Sequence, residues 1–278
     1  MMQGYIVLAC DKDIFRDMAV NLAYSLRVFD PERSIALAYN NISITDECKL
    51  LFDHLIPIDS LDGFVGSMNK LRLYETSPYD KTMYLDADML LMRPNIRAYW
   101  KALNGNYFSM TGDKRISGRW YKKDIAKIVR EFKIPYLVCM NSGVFYFERS
   151  RKAEQFFERA HDILKYHRES LSIIHNNRSG QYADEPILGV AMGEEKITPM
   201  PTLEGHGSWM VTTWRSRGHV FDPERGVCYL QKSTGYRFRQ QWLSRGWVDH
   251  SPNFVHFIHL KPRAHYEGAA AWFRERRF

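Results

Sequence analysis

Asp86-Ala87-Asp88 closes the apolar run Met83-Tyr84-Leu85. Two carboxylates one residue apart at the end of a buried strand can both reach one hard divalent cation. Oxygen ligands suit Mg²⁺ or Mn²⁺, which keep coordination positions for phosphate oxygens. The triplet alone is a weak signal in a chain with 32 acidic residues, and a solvated turn is the plain alternative. Three other segments strengthen it. Met140-Asn141-Ser142-Gly143 precedes an apolar strand, and Gly143 lets backbone approach a ligand closely. Asp184 and Glu185 stand together before the apolar residues 187 to 192. His256, His259 and Lys261 fall close together, so an imidazole can complete a metal site and the ammonium can neutralise a diphosphate. Each segment also has a structural alternative: a turn, acids at a helix N-terminus, a strand with polar surface residues.

The elements that must carry these residues alternate strand and helix. Residues 5 to 9 are a short continuous apolar run, as in a strand buried on both faces. Ile14, Met18, Leu22, Leu26 and Phe29 recur every three or four positions and predict an amphipathic helix. Residues 34 to 39, 55 to 58 and 82 to 85 read as strands, with short helices over 47 to 52 and 70 to 75. This βαβαβ beginning implies an α/β protein with a mostly parallel central sheet and ligands at the carboxyl ends of its strands. Further strands are expected at 107 to 111 and 143 to 147, and a helix carrying Ala153, Phe156, Phe157, Ala160, Ile163 and Leu164. Beyond Gly205 the periodicity weakens among Trp, Arg and Gly, and loops and short elements are expected. No repeat or linker divides the chain, so residues 1 to 278 read as one domain.

Composition excludes several classes. Hydrophobic residues are 45% and charged residues 26% of the 278, a globular balance. No run reaches the roughly 18 apolar residues of a bilayer crossing, and the start lacks the basic region and apolar core of a secretory signal. Cys10, Cys48, Cys139 and Cys228 stand far apart, which excludes a disulfide scaffold or a Cys-rich zinc module and fits a reducing, cytoplasmic setting. Charge is unevenly spread. Residues 1 to 113 hold 11 basic and 15 acidic side chains, and the remainder holds 28 and 17. An acidic first part suits a cation, and a basic second part suits an anionic partner.

These residues together resemble the retaining GT-A glycosyltransferases of the GT8-like group, the glycogenin and lipooligosaccharide galactosyltransferase type. The matching stretches are Ile6-Val7-Leu8-Ala9-Cys10-Asp11, Lys70-Leu71-Arg72-Leu73, residues 79 to 88 with the DXD motif, Met140-Asn141-Ser142-Gly143-Val144-Phe145, Asp184-Glu185, and His256-Phe257 with Lys261-Pro262. The resemblance implies a nucleotide-sugar donor, most often UDP-linked, and Mn²⁺ (or Mg²⁺) held by Asp86, Asp88 and a C-terminal His. It implies that Ala9 and Asp11 hold the uridine, with Asp86 also near the ribose, and that Lys70 and Lys261 face the sugar or phosphates. Asn141, Ser142 and Gly143 would line the sugar pocket, with Asp184 and Glu185 as the catalytic carboxylates beside the anomeric carbon. Residues 1 to 113 then form the nucleotide-sugar and metal-binding part, and 114 to 278 the basic acceptor side. Three departures stand out. Ile14 replaces a common aromatic, Glu185 replaces a common Gln, and the His-to-Lys segment is one residue short. The last leaves both His256 and His259 as ligand candidates, with His256 preferred for its Val-His-Phe context.

The acceptor is read from charge and rings. Residues 114 to 133 carry eight basic and two acidic side chains around Trp120 and Tyr121. Residues 214 to 247 carry seven and two, interleaved with Trp214, Tyr229, Tyr236, Phe238, Trp242 and Trp247. That composition suits a phosphate-tracking, base-stacking surface, and equally an aromatic core under a basic skin. The expected transferase acts on a hydroxyl, with a hydroxymethylated pyrimidine in DNA as the acceptor and Arg237 and Arg239 among its contacts. A saccharide or protein hydroxyl is the alternative acceptor, and a non-enzymatic nucleic-acid-binding protein is the rival class.

Overall fold

The computed structural model describes residues 1–61, 66–121, 123–171, 183–200, 205–206, 208–238 and 241–276. In chain order the elements begin β1 (Gln3–Cys10), α1 (Asp13–Phe29), β2 (Ser34–Asn40), α2 (Asp46–Leu51) and β3 (His54–Pro57). A 3-10 segment Gly66–Arg72 leads into α3 (Leu73–Thr76), β4 (Lys81–Asp86), β5 (Met89–Leu91) and α4 (Arg97–Leu103). Next come β6 (Phe108–Met110), β7 (Asp113–Arg115), β8 (Arg119–Trp120), β9 (Lys123–Asp124), α5 (Ile125–Glu131), β10 (Leu137–Cys139) and β11 (Val144–Glu148). Then follow α6 (Arg151–Leu171), α7 (Glu185–Glu194), β12 (Gly205–His206), β13 (Met210–Thr212) and β14 (Ser216–Asp222). The chain closes with β15 (Val227–Phe238), β16 (Gln241–Ser251), β17 (Phe254–His256), a 3-10 turn Ile258–Leu260 and α8 (Arg263–Arg274).

Contacts divide the chain into two units. The first comprises Met1–Arg16, Ser34–Leu85 and Gly105–Pro201. Its six-stranded sheet has the order β3-β2-β1-β4-β11-β6. β1 pairs with β2 and β2 with β3 in parallel, as the continuous apolar runs required, whereas β11 runs antiparallel to both β4 and β6. Phe108, Phe145, Phe147, Phe156 and Phe157 pack together between sheet and helix, the Phe108 and Phe156 rings only 4.0 Å apart. α7 lies directly on the backbone of β10 and its approach. A Cβ on Gly189 would stand 2.3 Å from the Val138 carbonyl oxygen, and one on Gly193 would stand 2.4 Å from that of Tyr136. Two glycines four residues apart on one helix face make that approach possible.

The second unit comprises Asp17–Arg33, Asp86–Asn104 and Thr202–Phe278. It contains the three-stranded sheet β13-β17-β5 and the four-stranded sheet β12-β16-β15-β14. Leu90, Val211, Leu230, Val255, Phe257, Tyr266 and Phe273 form its core, with Tyr24, Val28 and Phe29 of α1 packed against them. Within it, the Ser25 hydroxyl accepts from the Leu91 backbone N–H at 3.0 Å, tying the helix to β5. Here the structure corrects the expectation of short, irregular elements beyond Gly205. β15 and β16 form a hairpin of 12 and 11 residues. Its period-2 pattern is hidden because a register shift at Thr234/Gly235 leaves Arg245 as an extra residue in β16 and because the outward set mixes the aromatics Tyr229 and Trp247 with Gln231, Ser233 and Asp249. Among the described residues no helix is long and apolar enough to cross a membrane.

Candidate active site

Asp86 ends β4 and Asp88 sits in the turn before β5. β17 pairs antiparallel with β5, setting His256 opposite Met89, and parallel with β13, setting it beside Thr212. The Phe257 backbone N–H donates to the Asp88 carbonyl at 3.0 Å, and the Thr213 N–H to the His256 carbonyl at 2.9 Å. This ladder holds the imidazole Nε2 2.9 Å from Asp88 Oδ1 and 3.8 Å from Asp86 Oδ2. One ligand atom from each residue lies within 4.8 Å of the other two. His256 is buried and the two carboxylates are partly open. Two carboxylate oxygens and one imidazole nitrogen at this spacing fit a divalent cation that accepts O and N donors and keeps open positions. His259 lies outside this group, exposed and with left-handed φ of 54° after the strand has ended. Lys261 is also exposed, and its carbonyl accepts from the Thr213 hydroxyl.

The first unit gathers the other polar candidates. Lys70, in the 3-10 segment, donates from Nζ to Ser142 Oγ at 2.9 Å and stands 3.5 Å from Asp184 Oδ2. Its ammonium lies 5.3 Å from the Tyr84 ring centroid, on the strand that ends in Asp86. Both side chains of the ion pair are almost wholly buried. Asp184 Oδ2 has no hydrogen bond, so the 3.5 Å contact is a charge pairing without one. Asp184 occupies the N-cap of α7 yet makes no capping hydrogen bond. Its carboxylate is therefore not used in helix capping and faces Lys70 instead. Glu185 Oε1 accepts from the Ser142 backbone N–H and from Asn141 Nδ2, each at 3.3 Å. Asn141 Oδ1 in turn accepts from the Gly143 N–H at 3.2 Å. Lys70, Asn141, Ser142, Gly143, Asp184 and Glu185 thus form one network around two buried carboxylates.

Ala9 is buried in β1, opposite Tyr39 of β2. Asp11 follows the strand with φ of 71° and accepts from the Gly66 N–H at 3.1 Å. It lines an open hollow with Asp13, Asn41, Ile42 and Ser43. The Ser43 N–H and hydroxyl bond to Asp13 and hold its carboxyl below the ordinary value. Ile14 is 49% exposed and takes no part in the buried stripe of α1.

Other residues emerge only from the fold. Thr213 clasps the His256 carbonyl, and Lys232 donates from Nζ to the Thr212 carbonyl at 2.9 Å, to Thr212 Oγ1 at 3.0 Å and to the Trp214 carbonyl. Burial, and then the charge of Arg215, push the Lys232 ammonium down to about 8. Tyr266 accepts from Asn21 Nδ2 at 3.0 Å, and burial pushes its phenol up to about 12. No spacing signal marks them, because each reaches its partner across strands or helices. Arg239 lies outside the described residues, as do the side chains of Tyr236, Arg237, Phe238 and Trp242.

No family model and no curated protein matches the sequence. Solved structures do. The galactosyltransferase LgtC, in complex with donor and acceptor sugar analogs, superposes with a TM-score of 0.59 at 13% identity, over 97% of this chain and 95% of that one. The chain has the GT-A glycosyltransferase fold. An active-site mutant of LgtC gives 0.57 at 15% identity over the same shares. The bifunctional glycosyltransferase WbbM gives 0.52 at 13%, over 76% of this chain and 40% of that one. At these identities the GT-A likeness speaks for architecture, and the chemistry has to come from the residues.

Proposed function

We propose that the chain is a metal-dependent glycosyltransferase that moves a sugar from a nucleotide sugar, UDP-linked, to a hydroxyl acceptor with retention of anomeric configuration, in a cytoplasmic setting. The observation that carries this reading is the Asp86, Asp88 and His256 cluster following a βαβαβ start in a GT-A fold. Asp86, Asp88 and His256 would hold Mn²⁺ or Mg²⁺, and the cation would stabilise charge on the departing diphosphate. Lys261, exposed after β17, would add a positive charge toward the phosphates. Ala9 and Asp11 would receive the nucleoside.

The Lys70 network supplies the sugar side. The bond from the anomeric carbon to the diphosphate oxygen breaks, and the electron pair leaves with the diphosphate. The acceptor hydroxyl oxygen bonds to the anomeric carbon and its proton passes to the departing phosphate oxygen. Positive charge that builds on the anomeric carbon is offset by the carboxylates of Asp184 and Glu185. Lys70 would pair with the Asp184 carboxylate and hold it in place, since the two charges are buried together. Asn141 and the Ser142 N–H orient Glu185 in the same way.

For the acceptor we propose a hydroxymethylated pyrimidine in DNA, supported by the basic excess beyond residue 113. Its primary hydroxyl offers a nucleophile that ordinary bases lack. Incubation of hydroxymethylated and plain DNA with a panel of nucleotide sugars, followed by nucleoside mass spectrometry, tests it. Sugar on the hydroxymethylated base alone is the expected product. Modification of a saccharide or protein hydroxyl instead would move the acceptor to that class.

A further inference from the structure

Among the described residues, the sheet β12-β16-β15-β14 has one face packed on the core and one face whose side chains are partly or fully exposed. Alternation along β15 sends Cys228 and Leu230 into the core of the second unit, and their partners Phe221 and His250 go with them. The opposite set faces outward: Val220 beside Tyr229, Arg217 and Asp249 beside Gln231, Trp247 beside Ser233. Val220 is 51% exposed and Trp247 37%. The Arg217 guanidinium lies 3.9 Å over the Trp247 ring. Arg217 Nε donates to Gln231 Oε1 at 3.0 Å, and Gln231 Nε2 and the Tyr229 hydroxyl donate to Asp249 Oδ1 at 2.8 and 2.6 Å. At the head of β14 the pattern repeats, with Arg215 4.2 Å over Trp214, which is 62% exposed. Arg245 stands exposed at the register shift, and Arg225 is 3.6 Å from Asp222. Arg215, Arg217, Arg225 and Arg245 therefore stand with Asp222, Glu224 and Asp249; Arg225 pairs with Asp222, Arg276 lies 3.8 Å from Glu224, and Asp249 already accepts two neutral donors.

We infer that this face is a platform for a single-stranded stretch of nucleic acid. Charge complementarity and exposed rings choose the occupant together. A neutral saccharide can stack on indole but gains nothing from the arginines. A polyanion without rings gains nothing from the tryptophans. A duplex keeps its bases stacked on one another, so its phosphates meet the arginines while the indoles stay idle. Splayed bases with phosphates between them use both. The use of such a platform, to present the acceptor nucleotide, rests on the transferase reading above, and the binding itself does not.

The test is fluorescence anisotropy of a short labelled oligothymidylate with the full chain, in the absence of donor and metal. Expected is binding that weakens steeply with salt, falls about tenfold or more in Trp247→Ala and in Arg217→Gln, and largely survives in Trp247→Phe, which keeps a ring. Circular dichroism checks that each variant is folded, and Trp247→Phe against Arg217→Gln decides the matter should Trp247→Ala fail to fold. The inference is overturned by binding indifferent to these substitutions, by equal competition from dextran sulfate, by preference for an uncharged oligosaccharide, or by a concentration-dependent dimer lost with Trp247. A failure of donor hydrolysis, measured separately, bears on the transferase reading alone.

Discussion

His256 Nε2 lies 2.9 Å from Asp88 Oδ1, joined not by sequence proximity but by the antiparallel ladder between β17 and β5. The ladder has two supports, the Phe257-to-Asp88 backbone bond and the Thr213 clasp on His256. On the proposed reading the three side chains would be placed before a cation arrives, so that binding would cost little reorganisation.

The Lys70–Asp184 pair offers a stability test that separates charge from packing. Lys70→Met leaves the Asp184 carboxylate buried without its cation and is expected to cost about 3–5 kcal/mol. Adding Asp184→Asn removes the stranded charge and restores most of that stability, measured by urea unfolding. Transfer activity stays lost in the double variant. Activity regained along with stability would show that the pair is structural only.

Gly189 tests how α7 delivers Asp184 and Glu185. Gly189→Ala sets a methyl 2.3 Å from the Val138 carbonyl and is expected to lower stability by about 1–3 kcal/mol. Gly268, inside α8, would place its Cβ with no atom within 4 Å. Gly268→Ala is expected to stabilise by about 0.5–1 kcal/mol through helix propensity. Thermal denaturation of both variants reads the contrast.

Lys232 carries a pH signature. Its ordinary value of 10.5 is lowered to about 8 in the fold, so between those two pH values the unfolded chain binds the extra proton. Folding is therefore penalised below about pH 8, and the penalty fades as pH rises toward 10.5. Relative to Lys232→Met, the native chain should gain up to about 3 kcal/mol between pH 7 and 10.5. Urea unfolding of both proteins across that range checks it, and a constant difference would contradict the shift.

Much of the candidate site's placement was legible in the residues because its parts end regular elements. The apolar run before Asp86 needs a buried strand, so the place of Asp86 and Asp88 at a strand end could be read directly. The choice between His256 and His259 could not be completed from spacing, because it depends on where pairing with β5 stops. The structure ends β17 at His256 and turns the chain left-handed at His259. Asp184 was ambiguous for a different reason: acids before an apolar helix cap it as readily as they do chemistry. The direction of its side chain, toward Lys70 rather than the helix N–H groups, could be read only from the fold. The β15–β16 hairpin escaped sequence reading because its pairing shifts register between Thr234 and Gly235, leaving Arg245 as an extra residue in β16. Gly235 is there because a Cβ would stand 2.0 Å from the Leu243 carbonyl oxygen.

Release of nucleotide from a nucleotide-sugar donor, followed with and without a divalent ion, tests the central claim most directly. The native chain is expected to release nucleotide with Mn²⁺ and to lose that activity in EDTA. Asp88→Asn and His256→Ala should each reduce it at least about a hundredfold while remaining folded. Nucleotide release that persists in EDTA, or that is undiminished in both variants, would contradict the account.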